Sequence, residues 1–293
     1  MLKYISELKA LTKGQPGPNE KQDAVNLLVK RMGKYYPERS HLVVHASDVT
    51  KKDFCARQYR LMDITGTVRP ERYLSAALRA TFDMGNDVAS RICNDWLGED
   101  AIGHWKCQTC GDEKTFSTRP GKGCIKLQPC NWRYQEVKFI HAASQISGSL
   151  DLMLDLGGTK ATVIELKITK GEDFESLVAP MGEHRVRTAL YLRLIDESNS
   201  PLKGLIDTKH AKIIYVSRGH GKKNLNVGQI VPFKEYDVER DDAATQPYIE
   251  MGQEVYEARK NHVIPINKVC SAITCFTAKS CPVKSACFSG EYP

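Results

Sequence analysis

Three charged residues, Asp151, Glu165 and Lys167, interrupt the apolar stretch Ser147–Thr169, SGSLDLMLDLGGTKATVIELKIT. Leu150, Leu152 and Leu154 alternate with Asp151, Met153 and Asp155, and Ala161–Ile168 is rich in Val, Ile and Leu. This pattern predicts two strands joined at Gly157–Gly158. A charge in a central strand costs several kcal/mol unless an opposite charge or a metal ion satisfies it. Glu165 and Lys167 share a face because side chains alternate along a strand. A two-residue loop pairs Asp151 with Ile164 and turns it away from them. A three-residue loop, Gly157–Thr159, pairs Asp151 with Glu165 and gathers all three charges, so the odd-length loop is expected. The plainer alternative is a surface hairpin carrying an ion pair.

Cysteine is the second chemically active residue type, with ten in the chain. Cys107-x2-Cys110 and Cys124-x5-Cys130, within His104–Tyr134, approach zinc-ribbon spacing. Four thiolates close a tetrahedral structural site with no open position for catalysis. So short a segment is expected to be a separate unit that needs zinc to fold. Its Lys, Arg and Trp residues form either a nucleic-acid contact or a solvated basic face. The chain closes with Cys270-x4-Cys275-x5-Cys281-x5-Cys287, and Cys55 sits in a basic setting with Arg57 and Arg60. Cys93 reads as core. The opening MLKYISELKALTKG breaks its apolar residues with charges, so no signal peptide is expected, and cysteines in a cytoplasmic chain bind metal more readily than they form disulfides.

These groups need elements to position them. Met1–Thr12 predicts a short amphipathic helix, Gly14–Pro18 a break, and Asn19 the cap of a second helix with Ala24, Leu27, Leu28 and Met32 facing a core. His45–Gly66 reads as one helix entered at Ser47 or Asp48, and Pro70–Leu97 as another, with Val88, Ile92 and Trp96 on one stripe. Gln135–His141 alternates as a strand, with Glu136 either an additional acidic site residue or an exposed strand-end glutamate. Glu183–Glu197 reads as a helix presenting His184, Arg187 and Tyr191 on one face. Lys209–Val216 and Ile230–Tyr236 read as strands, Arg218–Lys223 as a basic turn, and Asp241–His262 as a long polar helix. At 293 residues the chain can bury a sizeable core. Lys+Arg 42 against Asp+Glu 35 gives +7 and a pI near 8.8, compatible with a polyanionic partner, and no apolar run is long enough to span a bilayer.

G-S-x-D, a glycine turn and an apolar strand ending in E-x-K resemble the core of the PD-(D/E)XK nuclease superfamily. Cys55 together with the C-P-V-K-S-A-C tail resembles its RecB-like and CRISPR-associated iron–sulfur members. The resemblance implies an α/β PD-(D/E)XK core with a zinc-ribbon insertion and a C-terminal iron–sulfur staple. The expected segments are N-terminal helices (1–45), a helical segment with the first cluster cysteine (46–100), the zinc ribbon (101–134), the nuclease core (135–245) and the C-terminal helix with its cysteines (246–293). It implies that Asp151, Glu165 and the Leu166 carbonyl hold Mg²⁺ or Mn²⁺, with Lys167 beside the attacking water. Cys55, Cys281, Cys287 and one of Cys270 or Cys275 would hold a [4Fe-4S] cluster; a rival count makes the tail a second zinc site. The family's Q-x3-Y motif falls on Arg187 and Tyr191, implying DNA contact there, with arginine in place of glutamine. Ala89 stands where the family carries a metal-binding histidine after Gly85, and Asp87 is the alternative ligand. The implied activity is cleavage of DNA at single strands or ends, in repair, recombination or CRISPR adaptation, with a recombination or helicase partner. The alternative is a DNA-binding module on the same fold without turnover, and an RNA substrate is a further option.

Overall fold

A computed structural model describes residues 24–36, 39–121, 129–219 and 232–292. The expectations for Met1–Thr12, Asn19, Cys124, residues 220–223 of the basic turn and Ile230 lie outside the described residues. The chain divides into two units, Met1–Glu38 with Glu71–Met84, and Arg39–Pro70 with Gly85–Pro293. In the smaller, α1 (Ala24–Met32) is followed by β1 (Lys34–Tyr36), which pairs antiparallel with β3 (Arg72–Leu74). The Tyr35 and Tyr73 rings lie 5.2 Å apart. The expected core face of α1 is not covered: Leu27 and Leu28 are exposed. A two-stranded ladder is too small a platform to bury a helix stripe.

The larger unit is a mixed α/β architecture of several small sheets. Its central sheet has the order β12 (Phe233–Glu239), β11 (Ile206–Ser217), β10 (Ala161–Thr169), β9 (Leu152–Leu154). β10 and β11 are parallel, and a parallel pair needs a crossover. Here α5 (Gly171–Ser176), α6 (Gly182–Asp196) and α7 (Leu202–Leu205) supply it. A second sheet has the order β2 (Val44–His45), β8 (Ile146–Leu150), β7 (Val137–His141), and a third has β5 (Glu113–Thr118), β4 (Ile102–Cys107), β6 (Trp132–Gln135). α8 (Asp242–Lys260) is the expected polar helix, with the Asp241 carboxylate accepting from Ala244 N at 2.8 Å as its cap. Among the described residues, no helix is long and apolar enough to cross a membrane.

Alternation along β10 splits its side chains between two cores. Ile164 and Leu166 pack with Trp105, Trp132 and Tyr134 of the third sheet. The cysteine-bearing segment is therefore not a separate unit: its aromatic residues complete one face of the central sheet. On the other face, Ile213 and Tyr215 pack with Phe174 of α5 and Ala189 of α6. Glu165 and Lys167, partnered across the ladder by Ile213 and Tyr215, share that second face.

Three other expectations differ from the structure. The helix over His45–Gly66 is broken into α2 (Ala46–Val49) and α3 (Ala56–Thr65). Asp48 does not cap; its carboxylate takes Lys51 Nζ at 3.0 Å and Tyr59 Oη at 3.1 Å, and Cys55 becomes the extended residue that opens α3. Helix α4 (Ala76–Arg91) begins later than Pro70 because Arg72–Leu74 is taken by the ladder to β1. It then widens into a π turn over Ile92–Trp96, which rotates Trp96 off the expected stripe and leaves it 56% exposed.

Candidate active site and cysteine centres

The hairpin register is set by Thr162–Leu154, Val163–Met153 and Ile164–Leu152 pairs. One further step sets Asp151 opposite Glu165, as the odd-length loop requires. The connection itself is longer than Gly157–Thr159, because Asp155 Oδ1 accepts from Gly157 N at 2.9 Å and the ladder stops at Leu154. The first strand is also not continuous. It bends at Asp151, pairing with β7 before the bend and with β10 after it. Asp151 thus stands at the joint of two sheets.

Asp151 Oδ2 accepts from Leu166 N at 2.8 Å, and Lys167 Nζ lies 3.9 Å from the same oxygen. Lys167 Nζ also reaches Glu165 Oε1 at 2.5 Å and the Leu166 carbonyl at 3.0 Å. Glu165 is buried. Burial, and then the negative charge of Glu165, push Asp151 up to about 7 despite Lys167 and the Leu166 amide. The donor set comprises two carboxylates and a carbonyl on one small patch, which suits a hard divalent cation bound through oxygen. An Asp raised this far marks a carboxylate held out of water beside a second one.

Arg187 of α6 donates from Nη2 to Glu165 Oε1 at 3.0 Å and lies 4.0 Å from Glu183. Tyr191 is buried, its ring edge-on to Phe139 at 5.7 Å. The expectation of direct DNA contact therefore meets a different arrangement. Arg187 is turned inward by the buried charge of Glu165, and the Tyr191 ring is covered by Phe139. A Cβ on Gly148 would fall 2.5 Å from the Phe139 ring and 3.0 Å from that of Tyr191, so the glycine of G-S-x-D makes room for this pair. His184 Nδ1 lies 2.8 Å from Tyr215 Oη. Burial, with Lys167 and Arg187 nearby, holds that imidazole down at about 4, so it is neutral at pH 7.

Ala89 packs against the second core, that of Trp105, Trp132 and Tyr134, and offers no ligand atom, while Asp87 is exposed. Glu136 is better placed. The β7–β8 ladder pairs Val137 with Leu150, and one more step sets Glu136 opposite Asp151. Its charge is among those that lift Asp151, and it lines a cleft of about 520 Å³ with His104, Lys106, Lys114, Gln135 and Lys138. Sequence reasoning named Glu136 without seeing this, since the signal is the register of a second ladder.

The sulfurs of Cys107, Cys110 and Cys130 lie within 4.8 Å of one another and could hold a metal ion. Burial alone would raise the Cys107 thiol, but amide donors of Cys110, Thr109 and Asn131 bring it down to about 6. That favours the thiolate a metal needs. At the other centre, Cys55, Cys270, Cys281 and Cys287 line one small pocket. Cys275 is not among its lining residues; its sulfur accepts from Ala278 N at 3.3 Å as the cap of a helical turn. Buried Arg57 ties the chain ends together, donating to Pro265 O at 2.9 Å and to Tyr292 O. The described cysteines form no disulfide.

No family model and no curated protein matches this chain. Among solved structures, one described as "Crystal structure of SSO0001" is similar over 84% of this chain and 85% of that one, at 10% sequence identity and a TM-score of 0.37. A likeness at that level carries no inference about fold or function.

Proposed function

We propose that this chain is a Mg²⁺- or Mn²⁺-dependent nuclease that hydrolyses phosphodiester bonds of DNA at single strands or ends. The observation that carries this reading is the convergence of Asp151, Glu165 and Lys167 from two adjacent strands, where burial and the charge of Glu165 raise Asp151 to about 7. Asp151, Glu165 and the Leu166 carbonyl would hold the cation, which polarises the phosphoryl group and acidifies a bound water. Lys167, between both carboxylates, orients the attacking water and offsets the charge that develops on the phosphoryl oxygens. Arg187 fixes the rotamer of Glu165. A non-catalytic DNA-binding module is the second reading, favoured by Ala89 where a histidine ligand is expected. Incubating the pure protein with end-labelled linear DNA in Mn²⁺, Mg²⁺ or EDTA separates the two: metal-dependent fragments from wild type and none from Glu165→Ala support the nuclease, and equal turnover in the variant excludes it.

The cysteine centres are read as structural. The Cys107, Cys110 and Cys130 trio has the close spacing of a mononuclear zinc site, in which sulfurs about 2.3 Å from the metal sit roughly 3.8 Å apart. Among the described residues no trio from the tail gathers within 4.8 Å, although four cysteines face one pocket. That wider spacing supports an iron–sulfur cluster over a second zinc, with one of Cys270 and Cys275, whose thiols hydrogen-bond each other, as the fourth ligand. Elemental analysis should find one zinc per chain, together with iron and acid-labile sulfide.

A further inference from the structure

Beyond the carboxylate cluster, the carboxyl-terminal edge of the parallel pair carries polar groups that the fold does not use. Thr169 ends β10, two residues past Lys167 on the same face, and is 9% exposed with its Oγ1 buried and unpartnered. Arg218, whose amide donates to Thr169 O at 2.9 Å, has a buried Nε with no partner and no ion pair among the described residues. Lys170 follows, exposed. Buried donors are nearly always satisfied, so the unpartnered Arg218 Nε points to an absent acceptor of negative charge; Thr169 pairs with Ser217, so its hydroxyl lies on the other face of the sheet from Arg218.

The same edge carries two exposed aromatic rings. Ser217 N donates to Pro232 O at 2.9 Å, and Phe233 pairs with Val216, so Phe233 lies two ladder steps from Arg218 and on the same face of the sheet. Phe233 is 40% exposed, and its ring meets Trp96, 56% exposed, at 6.3 Å and nearly edge-on. The π turn over Ile92–Trp96 is what brings the indole there; π turns in helices recur at functional sites. Exposed aromatic faces beside unpaired cationic donors are the means by which proteins hold unpaired nucleotides, rings stacking on bases while cations take the phosphates.

We infer that this edge is a binding site for single-stranded nucleic acid, with Arg218 on a phosphate and Trp96 against a base. The nuclease reading supplies only the identity of the ligand as nucleic acid; the binding needs no turnover. Duplex ends fit less well, because a stacked and paired base offers no free face.

The full chain itself carries the reporter. Of its three tryptophans, Trp105 and Trp132 are 1% and 4% exposed, leaving Trp96 as the one a base can reach. Titration with an oligothymidylate in EDTA, where cleavage cannot occur, should quench tryptophan emission in parallel with binding read by fluorescence anisotropy. Trp96→Phe, which keeps an aromatic face, should bind more weakly than wild type but more tightly than Trp96→Ala, and should lose the quench. Trp96→Ala should weaken binding about 5- to 100-fold. Arg218→Ala should weaken it and lower the salt slope by about 0.7, the share of one single-strand phosphate contact. Thr169→Val, close in shape and on the other face of the sheet, controls for folding and should bind and quench as wild type does. Binding without quench, wild-type affinity in Trp96→Ala, or equal quench by a blunt duplex overturns the inference and leaves the carboxylate site untouched. Absence of any oligonucleotide binding overturns it as well, and metal-dependent cleavage of the same oligonucleotide then tells whether the nuclease reading also falls.

Discussion

Two charged clusters in the larger unit are built from the same residue types and end in opposite electrostatic states. At the start of α8, Arg240 forks onto Asp242, Nε to Oδ1 at 2.5 Å and Nη2 to Oδ2 at 2.9 Å, and reaches Asp196 with its other nitrogen. Thr208 Oγ1 donates to Asp196 at 3.1 Å, and Arg193 bridges to Glu197 at 2.7 Å and to the Asp242 carbonyl at 2.6 Å. Arg240 therefore holds both aspartates below the usual carboxylate range. At the hairpin, Lys167 and Arg187 both reach Glu165, and burial beside that second carboxylate makes Asp151 rise instead of falling. The first cluster is a brace that closes a helix terminus against a strand. The second keeps a carboxylate out of water beside a like charge, the kind of environment that recurs at functional sites.

The sharpest way to break this comparison is to remove charges from each cluster in turn. Asp151→Ala, Glu165→Ala and Lys167→Ala should each lower DNA cleavage by about 10³-fold or more, read by single-turnover assay. Asp151→Asn should leave the metal-free fold as stable as wild type or more so, because it removes a carboxylate that the fold disfavours. The next largest effect belongs to the chain ends. Cys55→Ser should bleach the visible absorption of anaerobically purified protein and cost about 2–4 kcal/mol of stability, by analogy with other links that close long loops. Cys93→Ser should keep the colour, since Cys93 packs in the second core and its thiol faces the Asp151 carbonyl at 3.8 Å.

How much of this could be read from the sequence depends on how local each signal is. Alternation in the E-x-K strand puts Glu165 and Lys167 on one face but leaves the register of Asp151 open between two loop lengths; the cost of a lone buried charge chose the one that sets Asp151 opposite Glu165, and the ladder has that register. The bend at Asp151 was not legible, since whether a strand changes sheets depends on partners far along the chain. The aromatic residues of the cysteine segment looked like the surface of a small unit, yet Trp105 and Trp132 are buried against β10. Trp96 fails in the reverse sense: a regular helix would have buried it, and one π turn does not. Arg187 and Tyr191 were found as a pair on α6, but only the buried charge of Glu165 explains why the arginine turns inward.

Smaller effects sharpen the contrast. Arg240→Ala should destabilise by about 1–2 kcal/mol, modest because the brace is partly open to solvent, and leave cleavage unchanged. The two clusters also respond to acid with opposite sign. The brace aspartates have lowered values in the fold, so their contribution is present above the ordinary carboxylate range and lost as pH falls through their folded values. Asp151, raised to about 7, binds a proton more tightly folded than unfolded. Its share of metal-free stability is full below about pH 4 and declines as pH rises to about 7. Thermal melts of wild type and Asp151→Asn across that window should therefore diverge as pH rises, with the variant the flatter of the two.

The central claim, that the Asp151–Glu165 pair awaits a divalent cation, is tested most directly by calorimetric titration of Mn²⁺ into pure protein at pH 6.5 in buffers of different ionisation enthalpy. Wild type should bind Mn²⁺ at a site that releases a large part of one proton, as Asp151 gives up the proton it holds near pH 7. Asp151→Asn should lose that proton release and most of the affinity. Wild-type binding no stronger than that of the variant, or binding with the same proton count in both, would contradict the account.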